Sequence, residues 1–329
     1  MQDLGLNIVS GLLWPLANIV WNAGAKLYWL YLLGAAAMAF AVYLWRAPDR
    51  SLARGLRFVF PRKVFLHPSA IADYKILFAN SALTLAVMLP YMLVSSTTTA
   101  AAVHHGLAAA TGLPGLGWHG GWGAVAAYTL LNLLAIDAAF FVAHYLQHRV
   151  PVLWEFHKTH HSAEVLTPFT VERMRPVDQL LNFTMAAVLP GAVAGVFAFL
   201  YAGPLTTVAV NGLNIGLFLF YLFGVHLRHS HVWLMFPPWL ARHISSPAMH
   251  LIHHSSDPKH ADKNLAQIFT FWDRLAGTLY LPAEEEAISF GLSGGEHAKY
   301  RTLTDLYVQP FRSLIARYRR RPAASGLPS

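Results

Sequence analysis

The chain has 329 residues, of which 55% are hydrophobic and only 12% charged, with 18 His and no Cys. A soluble domain carries about a quarter charged residues, so the composition argues against one. The missing cysteine excludes disulfides, thiolate metal sites, iron–sulfur clusters and a cysteine nucleophile. The net charge of +8 is unevenly spread and reads as membrane topology, with no nucleic acid as partner.

The first ten residues lack a basic n-region, so no cleavable signal peptide is expected. Residues Leu4–Val20 are apolar but interrupted by Gly and Pro, and read as an interfacial or re-entrant piece. Four apolar runs then approach the roughly 20 residues that a spanning helix needs: Leu27–Trp45, Ile76–Val94, Trp122–Val142 and Leu180–Tyr201. A fifth, Thr206–Val225, follows the fourth after a tight Ala-Gly-Pro turn, so the two read as a helical hairpin.

Charge sets the orientation. The segment Arg46–Lys75 holds Arg46, Arg50, Arg54, Arg57, Arg62, Lys63 and Lys75 against two Asp, whereas Ser95–Gly121 has no charged residue. The C-terminal end carries Arg312, Arg317, Arg319, Arg320 and Arg321. Basic loops stay cytoplasmic. The expectation is an all-α, multi-pass integral-membrane protein with about four to five spanning helices beneath a cytosolic, helical, histidine-rich cap. Residues 1–121 form an N-terminal membrane region, 122–285 the histidine-rich domain and 286–329 a cytosolic basic tail ending in a disordered PAASGLPS.

The third run ends in HYLQH (His144, His148), followed by FHKTHH (His157, His160, His161), and HLIHH supplies His250, His253 and His254. Offsets of three and four put the imidazoles of each cluster on one helical face. One HxxxH pair is weak evidence, because a lone histidine is more often structural or solvated. Three clusters on one side of a membrane point to metal. Eight imidazoles exceed the needs of one ion and suggest two, with positions left open for dioxygen or water. His226, His229 and His231 in GVHLRHSHV could add more. His67, His104, His105, His119, His243 and His297 belong to no cluster, and His260 lies beside the third without periodic partners. All-nitrogen ligation fits iron, zinc or copper; iron is preferred because a lipid-embedded site suits oxygen chemistry on apolar substrates. Asp137, two turns below His144 on the same helix, is expected to accept a ligand's ring N–H and fix its tautomer.

These motifs resemble the sterol desaturase and fatty acid hydroxylase superfamily of integral-membrane di-iron enzymes. DAAFFVAHYLQHRVPVLWEFHKTHHS resembles its first two boxes, including Asp137, Trp154 and Ser162. SSPAMHLIHHSSDPKHADKNLAQIFTFWDRLAGT resembles the third box and its sequel, including Asp262, Lys263, Asn264, Trp272, Asp273, Arg274, Gly277 and Thr278. The resemblance covers about residues 130–280. It implies two irons, dioxygen as co-substrate, and hydroxylation or desaturation of a lipid such as a sterol or fatty acyl chain. Electrons would come from a donor such as a small cytochrome or ferredoxin, since the chain shows no flavin, haem or nicotinamide signature. Arg149, Lys158, Arg242, Lys259 and Lys263 flank the boxes and could dock an acidic donor.

Three positions depart from the family pattern. Arg173-Met174-Arg175-Pro176 stands where the family has R-x-H-P, His229-Ser230-His231 where it has HSN, and Asn264-Leu265-Ala266 where it has N-[YF]-G. The resemblance points to His229 as a ligand, leaves His226 as an additional candidate, and gives His231 and Asn264 supporting roles beside the ligands. The rival readings are a non-oxidative metal-dependent lipid enzyme and a metal-binding membrane transporter. A transporter would place polar ligands near the bilayer midplane, and here they lie at helix ends.

Overall fold

The first four apolar runs fold as helices in the computed structural model, which describes residues 17–48, 50–203 and 206–319, with the backbone alone at residues 82 and 84–93. The expectations for most of residues 4–20 and for the PAASGLPS end fall outside the described residues. The helices that frame the site are α1 (Trp29–Arg46), α2 (Leu52–Val59), α3 (Pro68–Leu93), α4 (Ser96–Thr111), α5 (Trp122–Arg149), α6 (Pro151–His161) and α7 (Pro176–Leu200). Among the described residues α1, α5 and α7 are long and apolar enough to cross a membrane.

Two expectations change. The uncharged stretch 95–121, which held none of the expected helical runs, contains α4, and Ser95 caps it by accepting the Thr98 amide. This helix packs along α7 because two glycines, Gly191 and Gly195, let the backbones meet. A Cβ at either would collide with α4 carbonyls, at Ser96 and Ala100. Small residues spaced by four permit such close helix pairs in membranes. The second change concerns 206–225, which does not form a fifth spanning helix. Residues Ala209–Val210 (β1) and Leu213–Asn214 (β2) pair as a small antiparallel hairpin. Asn211 and Gly212 at its tip have positive φ, as an Asn-Gly turn between paired strands prefers. Only then does a short helix begin, α8 (Ile215–Phe220), continuing through a π-turn (Tyr221–Val225) and a 3₁₀ turn (His226–His229).

Proline shapes the histidine region. Pro151 has no N–H and restricts the residue before it, so α5 stops at Arg149 and α6 starts at once in a new direction. The bend brings HYLQH and FHKTHH together. Box three lies on α9 (Pro247–His253), where Pro247 takes the first turn and the Ser246 hydroxyl accepts the Met249 amide, a cap that stabilises a short helix by about 1 kcal/mol. A further helix, α10 (Phe271–Ala276), follows it.

The C-terminal segment is more than a basic tail. Its helix α11 (Leu303–Arg319) docks on α6, with Phe311 edge-on to Phe156 at 5.3 Å. Arg175, at the family's His position, explains this docking. It is buried, donates to the Leu306 carbonyl at 3.0 Å and stacks on Tyr307 at 3.9 Å. Arg173 is also buried and joins three parts of the chain. It pairs with Asp73 of α3 at 2.8 Å and donates to Thr159 O and Ser162 Oγ of the box-two region and to Tyr300 O. Removing either partner would leave a buried charge uncompensated.

Candidate metal centre

Nine imidazoles converge in two groups. His144, His148, His157, His161 and His253 form one, and His160, His229, His250 and His254 the other. All eight box histidines are included, and the 3₁₀ turn contributes His229. His226, the tenth candidate, stands apart: its Nε2 donates to the Lys26 carbonyl at 2.6 Å. It shares the turn with His229 but lines a different cavity.

The donor set fits metal. In the second group His160, His250 and His254 bring Nε2 to 3.3, 3.2 and 3.1 Å from His229 Nε2, and His254 and His250 lie 3.2 Å apart. Nitrogens sharing one ion at about 2.1 Å stand about 3.0 to 3.4 Å apart, depending on geometry. In the first group the Nε2 atoms of His148, His157, His161 and His253 are buried without a hydrogen-bond partner. Buried polar atoms are nearly always satisfied, so a cluster of orphaned lone pairs marks a place for a cation. Burial first, and then the neighbouring rings, holds His160, His161, His253 and His254 well below the ordinary imidazole pKa. Neutral rings are the metal-binding form.

Two outer nitrogens are fixed by backbone carbonyls and one by a carboxylate. His144 Nδ1 donates to Leu265 O at 2.8 Å and His253 Nδ1 to Lys263 O at 2.9 Å, while His148 Nδ1 meets Asp262 Oδ1 at 3.1 Å. Asp178 Oδ1 lies 3.4 Å from His157 Nδ1. Each such partner leaves Nε2 free for a metal. His250 differs, because its Nδ1 faces Arg228 Nη2 at 3.1 Å. A guanidinium only donates, so in this geometry a neutral His250 carries its proton on Nε2, and it would hold a metal through Nε2 only with that proton moved to Nδ1 and Arg228 turned away.

The three residues expected to support the ligands act otherwise. Asp137 touches no ligand ring. Its carboxylate accepts the amides of Ile268 and Phe269 at 2.8 and 3.0 Å and Trp272 Nε1 at 2.9 Å. It thereby anchors the segment whose Leu265 carbonyl holds His144. Asn264, at φ 55°, donates to Met249 O and accepts the Tyr280 amide, pinning the same segment to α9. His231 donates to Phe58 O at 2.7 Å, away from both groups. His260 sits beside Glu286, 3.2 Å away, also outside them.

Among the described residues two openings reach the imidazole groups. On one side is a cavity of about 70 Å³, walled by Phe140, Val171, Met174 and Leu265, with Lys26, Gln147 and Asn182 among its polar residues. Lys26 was not legible as functional in the sequence; its ammonium stands 5.6 Å from the Phe140 ring centre. Arg228 was missed too. It clamps the carbonyls of Ala266 and Gln267 besides facing His250. On the other side a polar recess of about 300 Å³ reaches His148, His161 and His253 past Trp154, whose ring lies 5.0 Å from His148. Three of the five cations expected to dock a donor are paired within the chain: Arg149 with Asp262, Lys158 with Glu155 and Lys259 with Glu286.

Residues 129–278 match the family model described as fatty acid hydroxylase. Among curated proteins the chain is similar to an alkylglycerol monooxygenase of Xenopus tropicalis, 27% identical over 170 residues, 50% of this chain and 32% of the relative. It is also similar to the ornithine lipid hydroxylase OlsE of Rhizobium tropici, 28% identical over 180 residues, 54% of this chain and 49% of the relative. A cholesterol 25-hydroxylase of Rattus norvegicus is 32% identical over 153 residues, 46% of each protein. The matches span from 32% to 49% of these relatives' lengths. No solved structure matches the chain.

Proposed function

Residues 129–278 place this chain in the fatty acid hydroxylase family, and from that premise we propose that it is a membrane oxidoreductase that hydroxylates a lipid with dioxygen at a pair of irons. The observation that carries this reading is the convergence of nine imidazoles in two groups. His144, His148, His157, His161 and His253 would hold one ion, and His160, His229, His250 and His254 the other. When bound, the pair supplies the activation of dioxygen needed to attack an unactivated C–H bond. The names of the relatives, a monooxygenase and two hydroxylases of unlike lipids, support the reaction class and leave the lipid open.

The chain's own residues do the rest. The cavity of about 70 Å³ admits a few atoms of substrate beside the metals, not a whole lipid. Its apolar walls, Phe140, Val171 and Leu265, hold the hydrocarbon and limit water. Lys26 offers a donor to a polar group of the lipid near the reacting carbon. Desaturation differs from hydroxylation only by how that carbon is held. Electrons come from a small cytochrome or ferredoxin, and the polar recess beside Trp154 is the short approach to the metals from outside. The basic segments support a cytoplasmic face for the histidine boxes and the C-terminus.

Metal analysis tests the reading. Purified protein should carry about two iron ions per chain, and Lys26→Met should keep both ions while lowering lipid oxidation. A chain that binds no transition metal under reducing, metal-replete conditions would contradict it.

A further inference from the structure

A second cavity lies behind the wall of the first. Val225, Arg228 and His229 line the metal cavity, whereas His226, Leu227 and Ser230 of the same segment line the other. The short turn Pro168–Glu172 divides likewise, with Val171 toward the metals and Pro168 and Phe169 toward the second cavity. This second space measures about 370 Å³, within the roughly 300–1,000 Å³ of small-molecule sites. Neither imidazole group contributes to its wall.

Its chemistry is apolar. Leu32, Ala36 and Ala39 of α1 face Val59, Phe60 and Phe65, and no charged residue lines it. The polar side chains present are engaged with backbone: Ser230 Oγ donates to Leu227 O, His231 Nε2 to Phe58 O and His226 Nε2 to Lys26 O. A wall of this kind accepts hydrocarbon and rejects polar ligands.

The mouth adds a second chemistry. Leu33 and Phe60, both on the wall, are 57% and 54% exposed. Leu52, Leu56 and Phe60 continue as an exposed apolar stripe, four residues apart, along and just beyond α2. Beside that stripe Arg57 is exposed, and Arg62 and Lys63 are exposed between the wall residues Phe60 and Phe65. Cations flanking an apolar helical stripe bind the surface of an anionic bilayer, with alkyl groups in hydrocarbon and cations at the phosphates.

We propose that this side cavity holds one acyl chain of an anionic bilayer phospholipid, whose phosphate rests on Arg62 and Lys63. The site is separate from the metals and stands whether or not the metal reading holds.

The test titrates detergent-purified full-length protein with dioleoylphosphatidylglycerol and, separately, dioleoylphosphatidylcholine. Bound lipid is counted by native mass spectrometry, and metal content is measured in parallel. We expect one phosphatidylglycerol per chain, held about tenfold or more tighter than phosphatidylcholine. Ala36→Trp and Ala39→Phe, which fill the cavity, should abolish that binding while metal content stays unchanged. Arg62→Gln with Lys63→Gln should erase the preference for phosphatidylglycerol; both side chains are exposed, so this pair does not depend on repacking the wall. Equal binding of the two lipids by the wild type, an unchanged preference in the double variant, or undiminished binding in properly folded filled variants would overturn the proposal.

Discussion

His144 and Leu265 are joined by a 2.8 Å hydrogen bond from imidazole Nδ1 to backbone carbonyl, across 121 residues of sequence. The carbonyl is held in place by Asp273, which accepts the amides of Leu265 and Ala266, and by Asp137, two turns below His144 on α5, which accepts those of Ile268 and Phe269. Asp137 therefore positions its helical neighbour through a loop, not by touching it. Asp137→Asn would set an amide NH₂ against donors it cannot accept from. We expect a loss of about 1–3 kcal/mol in stability, seen in thermal unfolding, together with weaker metal retention during chelator challenge. Unchanged retention would show that the loop is held by other contacts.

The geometry also ranks the histidines. His229 contacts three other nitrogens of its group, whereas His253 is one of five in a larger set. His229→Ala should therefore cost more metal than His253→Ala, with each lowering the content measured by mass spectrometry of the purified protein. His226→Ala and His231→Ala should retain metal near the wild-type level, because both rings bond to distant carbonyls. Loss of metal from His226→Ala with retention in His229→Ala would reverse the assignment of this turn.

Acid should unfold the metal-free protein early. His160, His161, His253 and His254 are held well below the ordinary value of 6.5 in the folded chain, chiefly by burial. Above 6.5 neither state takes up protons on these rings, and their contribution to stability is constant. As pH falls below 6.5 the unfolded chain binds protons that the folded chain refuses, so stability drops, by up to about 1.4 kcal/mol per pH unit for each ring. Chemical denaturation of apoprotein at a series of pH values should show this fall. A flat profile from 6.5 downward would mean that the rings titrate normally when metal is absent.

What the sequence made legible follows from periodicity. Offsets of three and four located all eight box histidines, and apolar runs located the cores of α1, α3, α5 and α7. Periodicity failed where tertiary contact decides. Residues 206–225 are apolar enough for a span, yet Asn211-Gly212 turns the chain into a hairpin. The uncharged Ala-rich stretch after Ser95 was not among the expected helices because a helix packed against the glycines of α7 needs no amphipathic face. His226 and His229 share a spacing that suits one helical face, yet His226 bonds the Lys26 carbonyl while His229 joins the second imidazole group, a division that spacing alone does not reveal. Lys26 lines the histidine cavity from a distant segment, and Arg228, though beside His229 in sequence, meets His250 and the Ala266 carbonyl only through the fold.

Orientation is testable because the chain has no cysteine. Single Cys residues at Ser96 and Ser325, one at the start of α4 and one in the C-terminal end, can be labelled with an impermeant thiol reagent. In intact cells we expect labelling at position 96 alone, and at position 325 only after permeabilisation. Labelling of position 325 from outside would place the boxes on the opposite side of the membrane.

The source of the oxygen atom tests the central claim most directly. Membranes containing the protein, supplied with a reduced electron donor and ¹⁸O₂, should yield a hydroxylated lipid carrying one heavy oxygen atom, absent when His160 is replaced by Ala. A product whose oxygen comes from water, or one formed equally by the His160→Ala protein, would contradict oxygen-dependent hydroxylation at the histidine centre.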